Sequence, residues 1–214
     1  MDREKTWRAI EQERLGLADI VKSLTDEQLN TASLCGEWRV RDVAAHVALL
    51  AQPSVWAFAI AAARAGGRFN KANQDMAVRH AESGVDLAGE LRTYAGSRRL
   101  PRYTNYRNAL FDVLVHGQDI AIPLGLERQM PIEAAAAGAE TVWAMGFPFR
   151  TKRRFSDMRF VASDADWSAG CGIVVTGPIE AILLVLTGRA VALSRLAGPG
   201  HRELVQRLTP TRGA

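Results

Sequence analysis

The chain has 214 residues, 48% of them hydrophobic and 23% charged, an ordinary globular balance and enough for one large domain or two modest ones with real cores. Its two cysteines, Cys35 and Cys171, are far apart and in no CxxC pair, which argues against a zinc finger or a disulfide scaffold. The net charge of +4 and pI of about 9.4 suit anionic small substrates as well as nucleic acid; the short run Arg150-Thr151-Lys152-Arg153-Arg154 reads as a solvated loop, and no nucleic acid is expected.

The N-terminus, Met-Asp-Arg-Glu-Lys, is charged and leads directly into an amphipathic stretch, so no signal peptide is read there. No apolar run reaches the roughly 18 residues of a membrane span. The expected location is the cytoplasm. From Thr6 to Leu24, apolar residues at Trp7, Ile10, Leu17, Ile20, Val21 and Leu24 mark one face of a helix. Thr25-Asp26-Glu27-Gln28 has the capping-box pattern that opens a short helix. A loop through Cys35-Gly36-Glu37 leads to a long helix predicted from about Arg39 to Arg64, kinked or broken at Pro53 and ended by Gly66-Gly67. Further helices are predicted at about Val85 to Gly96, from Pro101 to about Ile122, and from Pro131 to Met145. Helices of this length on short loops predict an antiparallel four-helix bundle with additions.

The pattern changes after Gly146-Phe147-Pro148. Short strands are predicted at Met158–Ala162 and Gly172–Thr176, with Asp164-Ala165-Asp166 as a turn between them. Gly177-Pro178 opens a helix from Ile179 to Leu186, Thr187-Gly188-Arg189 stops it, and a last helix spans His201 to Leu208. The expected division is therefore a helical bundle over 1–147 and a small α+β domain over 148–214.

The chemistry concentrates on two helices. In Ala109-Leu110-Phe111-Asp112-Val113-Leu114-Val115-His116, Asp112 and His116 are the only polar side chains. Four residues apart, they share one helical face, about 40° apart around the axis. Asn105, Asn108 and Asp119 extend that seam. In Val43 to Ala51, His46 is the lone polar residue. A buried carboxylate requires a partner, and a divalent cation between His46, Asp112 and His116 supplies one. Two imidazoles and a carboxylate form a common catalytic metal set with positions left open. Two plainer readings stand beside it: a hydrogen-bonded core histidine, and an i,i+4 charge pair on one helix. His80 and His201 lie in polar surroundings and read as surface residues. Cys35 and Cys171, each beside a glycine, read as structural.

At these residues the chain resembles the mycothiol-dependent maleylpyruvate isomerase family, a branch of the DinB-like metal-binding bundles. Ser33 to His46 is similar to the family's loop and metal-bearing second helix, with its Gly-x-Trp-x-Val-x-Asp-x-x-x-His spacing. Asp112 to Ile120 is similar to the acid-x-x-x-His-x-x-Asp element, and Gly177-Pro178-Ile179-Glu180 with Leu183 to Arg189 is similar to the second-domain signature. The resemblance implies a DinB-like four-helix bundle followed by a small α+β domain, with His46, Asp112 and His116 as metal ligands. It also implies one divalent metal (zinc first, nickel or manganese as alternatives) and mycothiol as cosubstrate. Two positions depart from the family: glutamate is expected where Asp112 stands, and a capping threonine near Arg39. The implied activity is attack of a metal-activated thiolate on a small electrophile, as an S-transferase or an isomerase. A hydrolase using activated water and a non-catalytic sensor or adaptor are the alternatives. The implied partners are small molecules, with the protein a monomer or homodimer.

Overall fold

The computed structural model describes residues 1–52, 69–100 and 104–209. The chain divides into two compact units, Asp2–Gln129 and Met130–Ala214. Among the described residues, no helix is long and apolar enough to cross a membrane.

The first unit is helical. Its elements are α1 (Arg3–Ser23), α2 (Asp26–Leu29), α3 (Val40–Leu50), α4 (Phe69–Ala81), α5 (Leu87–Thr93) and α6 (Tyr106–Ala121), the last running into a 3-10 turn at Ile122–Leu124. Helix α1 begins where the Asp2 carboxylate accepts the Lys5 N–H at 2.8 Å and buries Ile10, Leu17, Ala18 and Val21, the apolar face expected from their spacing. Thr25 and Gln28 form the predicted capping box. The first unit's core joins Leu17 and Val21 of α1 to Val43, Ala44 and Val47 of α3, to Ala77 and Leu91 of α4 and α5, and to Val113 and Ile120 of α6. Helix α3 ends at Leu50. The rest of the predicted long helix, with Pro53 and the Gly66-Gly67 stop, lies outside the described residues.

Asp42 does the capping work at the start of α3. It accepts the Arg39 N–H at 2.8 Å and two guanidinium donors of the same residue at 2.9 and 3.0 Å. The arginine that replaces the expected threonine is thus tied to the third residue of the helix, and the helix start is satisfied by another route. Because Asp42 is almost wholly buried, Asp42→Ala is expected to cost about 1–2 kcal/mol of stability. The check is a lower denaturant midpoint with an unchanged slope.

The second unit contains α7 (Ile132–Ala144), α8 (Thr151–Arg154), β1 (Met158–Ala162), β2 (Ser168–Gly170), β3 (Ile173–Gly177), α9 (Ile179–Leu186), a 3-10 stretch at Ala190–Arg195 and α10 (His201–Leu208). The sheet order is β2-β1-β3, with β2 antiparallel and β3 parallel to β1. The chain crosses from one edge of β1 to the other through Gly170-Cys171-Gly172. Both glycines have positive φ, and a Cβ on either would stand 2.2 or 2.1 Å from a carbonyl oxygen of Met158 or Asp157. Only glycine fits so close a crossing. The predicted second strand begins at Ile173, and β2 was not foreseen: Ser-Ala-Gly has no β-branched side chain, and its pairing with β1 alone makes it a strand.

Helix α9 buries Ile179 and every residue from Ala181 to Leu186, so it is the second unit's central element. The Asp164 carboxylate accepts its Ile179 N–H at 2.8 Å. Alanine-rich α7 packs along it, with Ala135 and Ala139 fully buried. Small side chains let two helices approach closely, and this places α7 in the second unit. The division therefore falls at 129/130, whereas the composition change pointed to 147/148.

Candidate metal centre

Helices α3 and α6 pack together in the first unit and bring His46, Asp112 and His116 together. One ligand atom from each lies within 4.8 Å of the other two. Asp112 Oδ1 is 3.7 Å from His46 Nε2 and 3.6 Å from His116 Nε2, beyond hydrogen-bond range. The imidazoles meet edge to face with centroids 4.9 Å apart. Two atoms bound to one tetrahedral ion at about 2.0–2.1 Å stand about 3.4 Å apart, so the two separations from Asp112 need to close by only a few tenths of an ångström. The donor set, two imidazole nitrogens and one carboxylate oxygen, fits a divalent metal with coordination positions to spare.

Behind this set stands a buried carboxylate. His116 Nδ1 is 2.8 Å from Asp119 Oδ2, and Asp119 has no exposed surface. A carboxylate only accepts, so Nδ1 carries a proton, and Nε2 is the nitrogen left to face Asp112. This is the arrangement that orients metal-binding histidines. The sequence placed Asp119 on the polar seam without this role. Its signal was the three-residue step from His116, one helical turn on.

Trp38 walls the site. Its ring centroid lies 5.1 Å from that of His46 and 6.1 Å from that of His116, and it is itself buried. The loop that carries it is pinned: Ser33 N–H donates to the Trp38 carbonyl at 2.8 Å, Val40 N–H to Thr31 at 2.9 Å, and Leu34 N–H to the Asp119 carbonyl at 3.2 Å. Gly36 takes φ +59 at the turn, a conformation glycine adopts without strain. Cys35, a thiol half-buried in this turn, comes within 4.8 Å of the ligand atoms of His116 and Asp119.

Two arginines unforeseen from the sequence flank the site. Arg14 of α1 is buried, and one of its terminal nitrogens donates to the carbonyls of Ala95 at 3.1 Å and Ser97 at 2.8 Å. Burial pulls its guanidinium down to about 10, while the Asp112 carboxylate acts in the opposite direction; at neutral pH it remains a cation. Arg128 pairs with Glu13 in a buried ion pair, and its guanidinium lies across α6 where a Cβ on Gly117 would stand 2.5 Å from Cζ. A larger residue directly after His116 would push the Arg128 guanidinium aside. Of the remaining histidines, both read from sequence as surface residues, His80 is half-buried, with Nε2 2.6 Å from Glu90 Oε2. His201 Nε2 lies 3.0 Å from the Leu193 carbonyl oxygen.

Residues 10–121, just over half of the chain, match the family described as the mycothiol maleylpyruvate isomerase N-terminal domain. The chain belongs to that family. In fold it is similar to the crystal structure of the mycothiol-dependent maleylpyruvate isomerase, at 13% identity and a TM-score of 0.57, covering 88% of this chain and 90% of that one. A histidine-to-alanine variant of the same isomerase matches with the same identity and coverage and a TM-score of 0.50. A search among curated proteins finds no match. The mainly α architecture, a DinB-like four-helix bundle followed by a small α+β unit, is the one expected, and the family match spans α3 and α6 with all three converging residues.

Proposed function

We propose that this protein is a metal-dependent thiol enzyme in which His46, Asp112 and His116 hold one divalent ion and a low-molecular-weight thiol, mycothiol, is the cosubstrate. The observation that carries this reading is the convergence of the three donors within 4.8 Å, with Asp119 fixing the His116 ring from behind. Membership of a family described by mycothiol and maleylpyruvate supports the choice of thiol. Zinc suits the nitrogen and oxygen donors, and nickel and manganese are the alternatives. When bound, the ion would lower the pKa of a thiol at its open position, about 8.5 in free cysteine, so that thiolate predominates near neutral pH.

The protein's own groups do the remaining work. Asp112 brings the negative charge that balances the ion. Asp119 keeps the Nδ1 proton on His116 and so keeps Nε2 available. Trp38 closes one side of the site with an apolar face, which limits water and favours a thiol over hydroxide as the attacking group. The thiolate adds to an electrophilic carbon of a small substrate. Release of the adduct makes the enzyme an S-transferase; elimination of the thiol after bond rotation makes it an isomerase. Such a cosubstrate belongs to the reducing cytoplasm, where this reading locates the protein.

The test is turnover of maleylpyruvate and of small electrophiles (epoxides and haloaromatics) by metal-loaded protein with and without mycothiol. The expected result is turnover that needs both metal and thiol, with the product identified by mass. Turnover without thiol would point to hydrolysis, and metal binding without turnover on any substrate would point to a sensor or adaptor.

A further inference from the structure

His116 faces two carboxylates, one on each ring nitrogen. Nε2 looks toward Asp112, whereas Nδ1 looks toward Asp119 at 2.8 Å. On that second side lies Cys35, whose Sγ is within 4.8 Å of a His116 nitrogen and an Asp119 oxygen. We propose that Cys35, His116 and Asp119 form a second cation site, selective for soft, thiophilic divalent ions such as cadmium, on the opposite side of the His116 ring from the first.

The chemistry of the donors separates the two sites. The first offers nitrogen and oxygen only; the second adds a thiolate, the ligand that soft ions prefer. Thiolate and carboxylate together would neutralise a divalent ion, and the imidazole would complete three protein ligands. The site is built rather than accidental. The Cys35 N–H donates to Ser33 Oγ at 3.1 Å, and the Cys35 carbonyl accepts from Trp38 N–H at 3.1 Å. The neighbouring Leu34 N–H is anchored on the backbone of Asp119 itself. The turn that carries the thiol is thus fastened to the helix that carries the other two ligands.

At present the charge of fully buried Asp119 is met by the proton on His116 Nδ1. A cation bound at Nδ1 would shift that proton to Nε2, leaving the imidazole neutral, and would displace the thiol proton to solvent. Because the sites share one imidazole, a soft ion in the second draws His116 away from its role in the first. Where the protein has the activity proposed above, that activity is expected to be inhibited by cadmium in excess of the native metal. The second site uses neither His46 nor Asp112, so it stands or falls apart from the function proposed above.

The experiment titrates cadmium into a His46→Ala/Cys171→Ser protein, which lacks one first-site ligand and the exposed thiol. Sulfur-to-cadmium charge-transfer absorption in the ultraviolet and bound cadmium per chain are read together, and circular dichroism verifies the fold. The expected result is one cadmium per chain with a thiolate band that disappears on adding Cys35→Ser and weakens with Asp119→Asn. A band that survives Cys35→Ser overturns the proposal. So does the absence of any band while Cys35 is intact, whatever the serine variant does.

Discussion

Replacing Asp112 by alanine is expected to lower divalent-metal affinity by about 10²–10³-fold while leaving the helical bundle folded. Asp112 is the only carboxylate among the three converging donors, and its Oδ1 is the atom that both histidine Nε2 atoms approach, at 3.7 and 3.6 Å. Removing one member of a buried charge pair costs about 3–5 kcal/mol, which at about 1.4 kcal/mol per decade gives at least two powers of ten. The loss also leaves the buried cation of Arg14 without the carboxylate that opposes its desolvation, so a modest fall in stability accompanies it. Asp112→Glu, which restores the residue expected from the family resemblance, lengthens the side chain by one methylene on the same helical face and is expected to keep affinity within about tenfold. Competition against a metal-sensitive chelator measures both variants. Wild-type affinity in Asp112→Ala would remove Asp112 from the ligand set.

The second large effect is expected at Asp119. Asp119→Asn should weaken metal binding about 10–100-fold although Asp119 is no ligand of the proposed first site, because outer partners of metal-bound histidines have effects of that size. The amide is nearly isosteric, so packing around this fully buried position changes little. What is lost is the negative charge that holds the proton on Nδ1 and makes Nε2 a better donor. Nitrogen-15 NMR of the imidazoles reads the difference directly: wild-type protein should show His116 protonated at Nδ1, and the variant should show a mixture of tautomers. Unaltered affinity and an unaltered tautomer would mean that Asp119 serves packing alone.

The separate residues of this site were legible in the sequence; their connections were legible only in part. His46 and the Asp112–His116 pair stood out because each interrupts an otherwise apolar helical window, and helix α6 keeps its i,i+4 geometry whatever surrounds it. Trp38 belongs to the same motif as His46, but its position over both rings depends on the pinned turn from Thr31 to Val40, which no periodicity reports. Arg14 sits on a helix for which the sequence marks only the apolar face. Its burial depends on the carbonyls of Ala95 and Ser97, some eighty residues away. The Glu13–Arg128 pair is likewise long-range.

The same contrast runs through the fold. Helix α9 was legible to the residue, because a run between Pro178 and Thr187-Gly188 that is apolar apart from Glu180 in its first turn has one reading. Helix α4 was not, because it contributes alanines such as Ala72 and Ala77 to the core rather than a stripe of large side chains. The place of α7 in the second unit escaped for a related reason: an alanine-rich helix shows that it can pack closely but not against which neighbour.

The most direct test of the central claim is the metal content of untagged protein, wild type beside His46→Ala and His116→Ala, after purification and after reloading with zinc, nickel or manganese. The account predicts close to one divalent ion per wild-type chain and loss of most of it in both variants, with helical content retained. A wild-type chain that takes up none of the three metals, or histidine variants that bind as much as the wild type, would contradict it.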